Sequence, residues 1–146
     1  MVNKLLESTS KYIISIKENF NWGYQGYNDA QNVCADICGR IYFPSTLEEN
    51  IAVKNVLNEE LGPTSGSPDG YFYDDVWIRI VYNTTIGDWT DPDDEKTLTF
   101  QNFFYQRDKK PRYKEALHVR MDSLGDWMSR SGTRHLFSKY VLCELT

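Results

Sequence analysis

Carboxylates are the residues of this chain whose spacing could most readily do chemistry, because four of them lie within the run Asp91-Pro92-Asp93-Asp94-Glu95. Carboxylates spaced along a loop can wrap a hard cation such as Ca²⁺, which binds about six to eight oxygen atoms. The run has neither the spacing nor the glycine of an EF-hand loop. A solvated turn is therefore the favoured interpretation, and a calcium site is the alternative.

The two histidines, His118 and His135, are the next candidates for chemistry. A catalytic or zinc-binding role would require them to converge with a carboxylate or a cysteine. The chain contains no Gly-x-Ser-x-Gly, no phosphate-binding loop and no His-Glu-x-x-His. We therefore expect no enzyme activity, no metal site and no cofactor.

The three cysteines, Cys34, Cys38 and Cys143, give an odd count, for which one disulfide and one remaining thiol is the simplest arithmetic. No two of them form a Cys-x-x-Cys, so zinc or thioredoxin-like chemistry is unsupported. Cys34 and Cys38 lie four residues apart on a predicted helix. Their sulfurs would share a face without pointing at each other, so a bond between these two is disfavoured.

The charge and composition of the chain bound its partners. A net charge of −5 without a basic stripe argues against nucleic acid, and Asp108 interrupts the one compact basic run, 107–112. No stretch approaches the roughly eighteen apolar residues of a membrane span, so we expect no transmembrane segment in this chain. Ten tyrosines favour either protein recognition or ordinary packing.

The elements that must position these residues are helices first and strands later, which indicates an α+β fold. Strands are predicted at 11–17, 76–81, 98–100, 116–121 and 137–145, and loops at 19–26 and 64–70. One helix is predicted from an N-cap at Asn28 to Gly39, with both of its cysteines against the core. A second begins at the capping box Ser45–Glu48, runs to about residue 61, and has these side chains facing inward: Leu47, Ile51, Val56 and Leu57.

Several short motifs follow one another in a recognisable order: Cys34 with Gly39, Glu48-Glu49-Asn50, Trp77-Ile78-Arg79-Ile80, Gly87-Asp88-Trp89 and Cys143-Glu144-Leu145. In this order and spacing the chain resembles the C-type lectin-like domain over nearly its whole length. Arg79 stands where the family usually has glycine. The resemblance implies one domain over 1–146, with two helices, antiparallel sheets and a long-loop region. It also implies a secreted or extracellular protein whose signal or anchor is not present in this chain.

The resemblance further implies a disulfide pattern. The family's outer bridge would join Cys34 to Cys143 and leave Cys38 free, either buried, which its place on the apolar helix face favours, or linking two chains. The inner bridge would fall at His118 and Gly132, neither of which is cysteine. That bridge is therefore absent, and we expect His118 to fill its space.

The family's calcium-dependent sugar site also departs from its pattern here. Its proline loop corresponds to Lys110-Pro111-Arg112, and its Trp-Asn-Asp turn to Trp127-Met128-Ser129. Oxygen ligands are thus replaced by two cations and a thioether, and cations beside a Ca²⁺ position are repulsive. We expect no calcium at this site.

The predicted function is calcium-independent recognition of a protein or other macromolecule through the long-loop region, 84–112, and the turn at 127–130. The candidate ligand-binding residues are Lys109, Lys110, Arg112, Tyr113, Trp127 and Arg130. The alternatives are a glycan-binding lectin with a non-standard site and a structural subunit that self-assembles, for example as a homodimer. Asn83-Thr84-Thr85 is a candidate glycosylation site if the chain is secreted.

Overall fold

The computed structural model describes residues 2–6, 11–17, 26–61, 75–122, 124–132 and 140–145. Within these residues the helices are α1 Tyr27–Asp36 and α2 Leu47–Leu61. The strands are β1 Val2–Leu6, β2 Lys11–Lys17, β3 Arg40–Ile41, β4 Val76–Asn83, β5 Asp88–Asp91, β6 Lys96–Thr97, β7 His118–Met121, β8 Trp127–Arg130 and β9 Tyr140–Leu145. None of the helices in the described part of the chain is long and apolar enough to cross a membrane.

The strands form two antiparallel sheets, in the orders β1-β2-β9-β3 and β6-β5-β4-β7-β8. In the first sheet β2 pairs with β9, so Ile14 lies opposite Cys143 and the two ends of the chain are joined. In the second sheet β4, whose first five residues are buried, lies between β5 and β7. The predicted α+β fold with antiparallel sheets is confirmed.

The predicted disulfide between Cys34 and Cys143 is present, with an S–S distance of 2.00 Å, and it joins α1 to β9. Both cysteines are fully buried in a cluster with Tyr27, Ala30 and other apolar residues. A bridge that closes a loop of this length contributes about 4 kcal/mol to stability in the chain-entropy model.

The predicted burial of Cys38 is wrong, because its thiol is exposed. Helix α1 ends at Asp36, earlier than predicted, and Cys38 lies beyond the C-cap with a left-handed backbone, φ 59°. This is the position that usually ends a helix with glycine. Cys38 therefore leaves the apolar face of α1 before it can pack.

The helix N-caps differ from the sequence prediction. The N-cap of α1 is Gly26, not Asn28, and the Asp29 carboxylate accepts the amide proton of Gly26 at 3.2 Å. In α2 the capping pair lies one residue later than predicted, since the Glu49 amide donates to the Thr46 hydroxyl at 3.1 Å. Both helices nevertheless exist where periodicity placed them.

The inward face of α2 is only partly as predicted. Val56 and Leu57 are buried, whereas Leu47 and Ile51 are about half exposed. Their predicted places are taken by Glu49 and Asn50, which are almost fully buried. Each of these polar side chains is bonded: Glu49 to Lys11 at 2.8 Å, and Asn50 to the Gly125 carbonyl at 3.0 Å. Polar partners rather than apolar spacing decide which face of α2 turns inward.

The remaining strand predictions vary in accuracy. The strand at 11–17 is confirmed. Residues 98–100 are not a strand, although Leu98 and Phe100 pack against the main core. The strand predicted at 116–121 begins at His118. Residues 137–139, 19–25, 64–70 and His135 lie outside the described residues.

Candidate functional site

The candidate site is carried by the loop that connects β6 to β7, residues 98–117. This segment is called the long loop from here on, and it overlaps the predicted long-loop region, 84–112. Two core tryptophans anchor it. The indole N–H of Trp89 donates to the carbonyls of Asp108 and Lys109, both at 3.1 Å. Trp127 bonds through its backbone to Asn102 at 3.1 Å and to Phe104 at 3.0 Å. The middle of the long loop is therefore attached to the rigid second sheet.

A buried ion pair holds the end of the loop. The Asp108 carboxylate is fully buried and accepts two hydrogen bonds from the Arg112 guanidinium, at 3.2 Å and 2.9 Å. It also accepts the amide proton of Ser129 at 3.3 Å. The Ser129 hydroxyl donates to the Ala116 carbonyl at 2.6 Å and accepts the Arg112 amide at 3.3 Å. Such bidentate, charge-assisted contacts are among the strongest hydrogen bonds in proteins.

These contacts join Arg112 to Ser129. In the C-type lectin-like family, which the sequence resembles, these two positions would hold calcium ligands. In this chain the positive charge between the long loop and β8 is the guanidinium of Arg112. The other two positions are occupied by Lys110, which is exposed, and Met128, which is buried. Among the described residues, no group of three or more His, Cys, Asp or Glu side chains is placed to hold a metal ion.

A basic–aromatic face, defined here as Tyr105, Arg107, Lys109, Lys110 and Arg112, lies on the outside of the long loop. The guanidinium carbons of Arg107 and Arg112 lie 4.7 Å and 5.1 Å from the centre of the Tyr105 ring. Cations over an aromatic face are held there by attraction to the ring. Arg107, Lys109 and Lys110 are exposed, so the positive charge of this face is available to solvent.

Three of the candidate ligand-binding residues are partly or fully buried: Tyr113, Trp127 and Arg130. Tyr113 is half-buried and accepts the amide proton of Ser131 at 3.2 Å. Residues 127–130 form strand β8, so the predicted turn there is wrong. Trp127 is fully buried and donates to Asn50 at 3.1 Å, while Arg130 is 8% exposed and donates to the Ser129 carbonyl at 3.0 Å. Burial, together with the neighbouring Arg112, lowers the pKa of Arg130.

Sequence reasoning missed two parts of this site. In the sequence Asp108 only interrupts the basic run. It lies four residues before Arg112, however, and oppositely charged side chains at this spacing often form ion pairs. Tyr105 and Arg107 carried no signal of their own, because their stacking depends on the path of the loop. Of the predicted region, residues 105–112 carry the exposed cations and the Tyr105 ring, whereas Trp127 and Arg130 of β8 are buried.

The acidic run 91–95 is partly neutralised by arginines. Asp91 is buried and binds Arg79 through both carboxylate oxygens, at 3.1 Å and 3.2 Å. Asp93 binds Arg40 at 2.9 Å. Asp94 and Glu95 are exposed in the turn. These contacts agree with the turn interpretation, and they commit the first two carboxylates to ion pairs within the protein.

The space of the missing inner disulfide is filled by His118. A Cβ atom built on Gly132 would lie 2.6 Å from Nδ1 of His118, so the ring lies directly against this glycine. The ring also packs against Tyr27, with centroids 4.4 Å apart. Burial lowers the pKa of His118 to about 4, so the side chain is neutral at pH 7.

Compared by sequence, the chain matches no protein-family model and no curated protein. Compared by structure, it is similar to several solved domains. One is the C-type carbohydrate-recognition domain of cow CD23, crystallised in the presence of a GlcNAc2Man3 oligosaccharide. The identity is 15%, the TM-score is 0.66, and the match covers 92% of this chain and 87% of that domain.

Two further solved structures have a similar degree of likeness. The carbohydrate-recognition domain of the human scavenger receptor C-type lectin is 16% identical, with a TM-score of 0.65 and coverage of 94% of this chain and 92% of that one. A calcium-independent type II antifreeze protein is 15% identical, with a TM-score of 0.62 and coverage of 93% and 86%. The resemblance seen in the sequence motifs is thus found again in the fold: this chain has the C-type lectin-like fold.

Proposed function

We propose that this protein is a calcium-independent recognition module that binds a protein or other macromolecular ligand through the basic–aromatic face. The observation that carries the proposal is the buried pair of Asp108 and Arg112 at the edge of that face. It attaches the long loop to β8 through an ion pair of the chain itself, at positions where a calcium-binding domain of this fold would use an ion. A loop that is already held in place loses little entropy on binding.

The face suits a ligand with an acidic surface. Arg107, Lys109 and Lys110 offer exposed positive charge, and Tyr105 offers a ring held by two guanidinium groups. Arginine and tyrosine are enriched where proteins bind one another, and complementary charge speeds their encounter. Trp127 and Arg130 support the face from beneath and contribute no contact surface to it.

A calcium-free glycan site is the second candidate, and one cavity favours it. An open cavity of about 380 Å³ lies beside the face, lined by Gln101, Asn102, Phe103, Gln106 and Lys109. Amide groups can bond sugar hydroxyls while a ring packs against the apolar side of a sugar. Binding of a glycan in the presence of chelator would distinguish this candidate from recognition of a protein.

We also propose that the protein acts outside the cell. A buried disulfide between Cys34 and Cys143 is typical of proteins that fold in an oxidising compartment. Asn83 of the candidate glycosylation site ends β4 at an exposed turn. Its side-chain oxygen, Oδ1, accepts the amide protons of Thr85 and Ile86, both at 3.0 Å. These bonds do not use the side-chain nitrogen, which would carry a glycan.

The proposed function is tested by binding of the oxidised protein to an array of extracellular proteins and to a glycan array, both in chelator. We expect a protein ligand whose affinity falls at least about tenfold in the variant Arg107→Glu/Lys109→Glu/Lys110→Glu, mainly through slower association. The matched control is Lys96→Glu, an exposed charge reversal in β6 outside the face. Arg112 is left unchanged because its guanidinium also holds Asp108.

Two results would contradict the proposal. A ligand that required calcium would remove the role given to Arg112. A ligand bound equally well by the triple variant and the wild type would place the binding surface elsewhere on the molecule.

A further inference from the structure

A second cavity, of about 200 Å³, lies between the long loop, the start of β4 and the β7–β8 turn. Its lining contains three carboxylates and four apolar or aromatic side chains: Asp75, Asp122, Asp126, Phe104, Tyr105, Leu124 and Met128. Among the described residues, no lysine, arginine or histidine lines it. Its volume corresponds to roughly six water molecules, which is enough for a short alkyl chain with a polar tip.

The lining is arranged by depth. The inner wall includes Asp75 and Asp122, which are 0% and 6% exposed. The mouth is formed by apolar side chains that face solvent, Leu124 at 46% and Phe104 at 58% exposure. The cavity therefore has exposed apolar groups and two buried carboxylates, while its third carboxylate, Asp126, is partly exposed.

Asp122 has a carboxylate oxygen available to a ligand. Asp122 accepts the amide protons of Leu124 and Asp126, at 2.9 Å and 3.0 Å, and in both bonds the acceptor is Oδ1. Among the described residues, the hydrogen bonds of Asp122 therefore leave Oδ2 for a donor in the cavity. Burial raises the pKa of both Asp122 and Asp126, while the charge of Lys54 acts in the opposite direction on Asp126.

The guanidinium groups of Arg107 and Arg112 lie over the ring of Tyr105, which lines the cavity, and three further cations lie close to its carboxylates. Arg120 is fully buried, stacks on Trp77 at 4.8 Å and lies 4.0 Å from the Asp75 carboxylate. Arg130 also acts on Asp75, and Lys54 acts on Asp126 from α2. None of the three lines the cavity, so the surface that a ligand meets is acidic.

We infer that this cavity is a subsite for the side chain of a lysine presented by a protein ligand. The four-carbon stem packs between Leu124 and Phe104, and the ammonium group reaches Asp122 and Asp126. Lysine fits because its charge is a compact tip on an apolar stem. An ammonium has three donors and no acceptor, which matches carboxylates that only accept.

The subsite shares Tyr105 with the basic–aromatic face, whose exposed cations are Arg107, Lys109 and Lys110. A ligand that filled both would offer acidic groups to Lys109 and Lys110 and a lysine to the cavity. Opposed charges at neighbouring points exclude partners of uniform charge, which gives specificity. This inference rests on the proposed function in taking the ligand to be a protein, but its test is separate, because neither Asp122 nor Asp126 belongs to the basic–aromatic face.

The test is a nuclear magnetic resonance titration of the whole oxidised chain with two probes. Nα-acetyl-lysine-N-methylamide carries the ammonium, and Nα-acetyl-norleucine-N-methylamide carries an alkyl chain without it. We expect saturable shifts of the Gly125 and Asp126 amides with the lysine probe alone. In the variant Asp122→Asn/Asp126→Asn its dissociation constant should rise at least about tenfold.

The control for Asp126→Asn is Asp94→Asn, which also removes one carboxylate, from the exposed turn at 92–95, and should leave lysine binding unchanged. Because Asp122 also holds the β7–β8 turn, Asp126→Asn alone decides the question if the double variant fails to fold. Equal shifts with the norleucine probe, or equal affinity of Asp126→Asn and the wild type for the lysine probe, would overturn the inference. Loss of binding in Asp94→Asn would also overturn it, since only the overall charge would then matter.

Discussion

His118 packs in the space where the inner disulfide of the C-type lectin-like family would lie. Its ring lies against Gly132, packs on Tyr27 and lies 6.3 Å from the Trp77 ring. Nδ1 is buried and has no hydrogen-bond partner among the described residues. The position therefore stabilises the protein by packing, and only while the imidazole is neutral, because a buried charge there would be unpaired.

We expect His118 to make stability depend on pH. Its pKa is about 4 in the folded protein and about 6.5 when unfolded. As pH falls from about 6.5 to 4 the unfolded chain takes up the proton and the folded chain does not, so stability falls. The loss is at most about 3 kcal/mol, and it is complete near pH 4. Urea unfolding at several pH values measures it.

The matched variant is His118→Gln, which removes the titrating group. Burial raises the pKa of Glu144, Asp122 and Asp126, and these carboxylates act in the opposite direction, favouring the folded state as pH falls. Their effect is common to both proteins and cancels in the difference. The free energy of unfolding of the wild type should therefore fall relative to the variant between pH 6.5 and 4. Parallel pH profiles would show that His118 is not held neutral.

A network of buried charges joins the elements of the fold. Arg79 of β4 binds Asp91 of β5 and lies 3.6 Å from Glu144 of β9. Glu144 in turn lies 3.8 Å from Lys11 of β2, which binds Glu49 of α2 at 2.8 Å. Through these ion pairs one strand of the second sheet contacts the first sheet and a helix. The arginine that stands where the family usually has glycine is the centre of this network.

We expect Arg79→Met to lower the free energy of unfolding by about 3–5 kcal/mol, since it keeps an unbranched apolar stem but leaves Asp91 buried without the arginine it binds and takes one of the cations from Glu144. Urea unfolding measures the change. The control is Arg107→Met, an exposed arginine on the long loop, which should change stability by no more than about 0.5 kcal/mol. A second substitution, Asp91→Asn, should recover part of the loss. An equal effect of the two arginine variants would mean that the network adds nothing.

Elements could be predicted from the sequence where apolar periodicity and local signals agreed. The strand at 11–17 and the existence of both helices followed from such patterns. The inward face of α2 did not, because Glu49 and Asn50 are buried by partners far along the chain, Lys11 and Trp127. Trp127 likewise looked like part of a turn, since its pairing partner in β7 is set by the register of the sheet. Long-range polar contacts of this kind leave no local pattern.

The whole molecule combines a predictable scaffold with a site that depends on tertiary structure. The order of short motifs was enough to indicate the fold, and the solved structures with similar folds are only 15–16% identical to this chain. The loss of calcium ligands at Lys110, Arg112 and Met128 could be read from the sequence. That Arg112 would instead bind a buried Asp108 could not, because it depends on how the long loop closes onto β8.

Whether the Arg112 guanidinium takes the place of a bound ion is decided by the calcium dependence of the protein's stability. The melting temperature of the oxidised protein is measured in millimolar calcium and in chelator at matched ionic strength. A ligand that binds the folded state alone raises stability by mass action. We predict the same melting temperature in both solutions. A rise of several degrees that saturates with calcium would contradict the account, because it would show that the folded chain binds the ion.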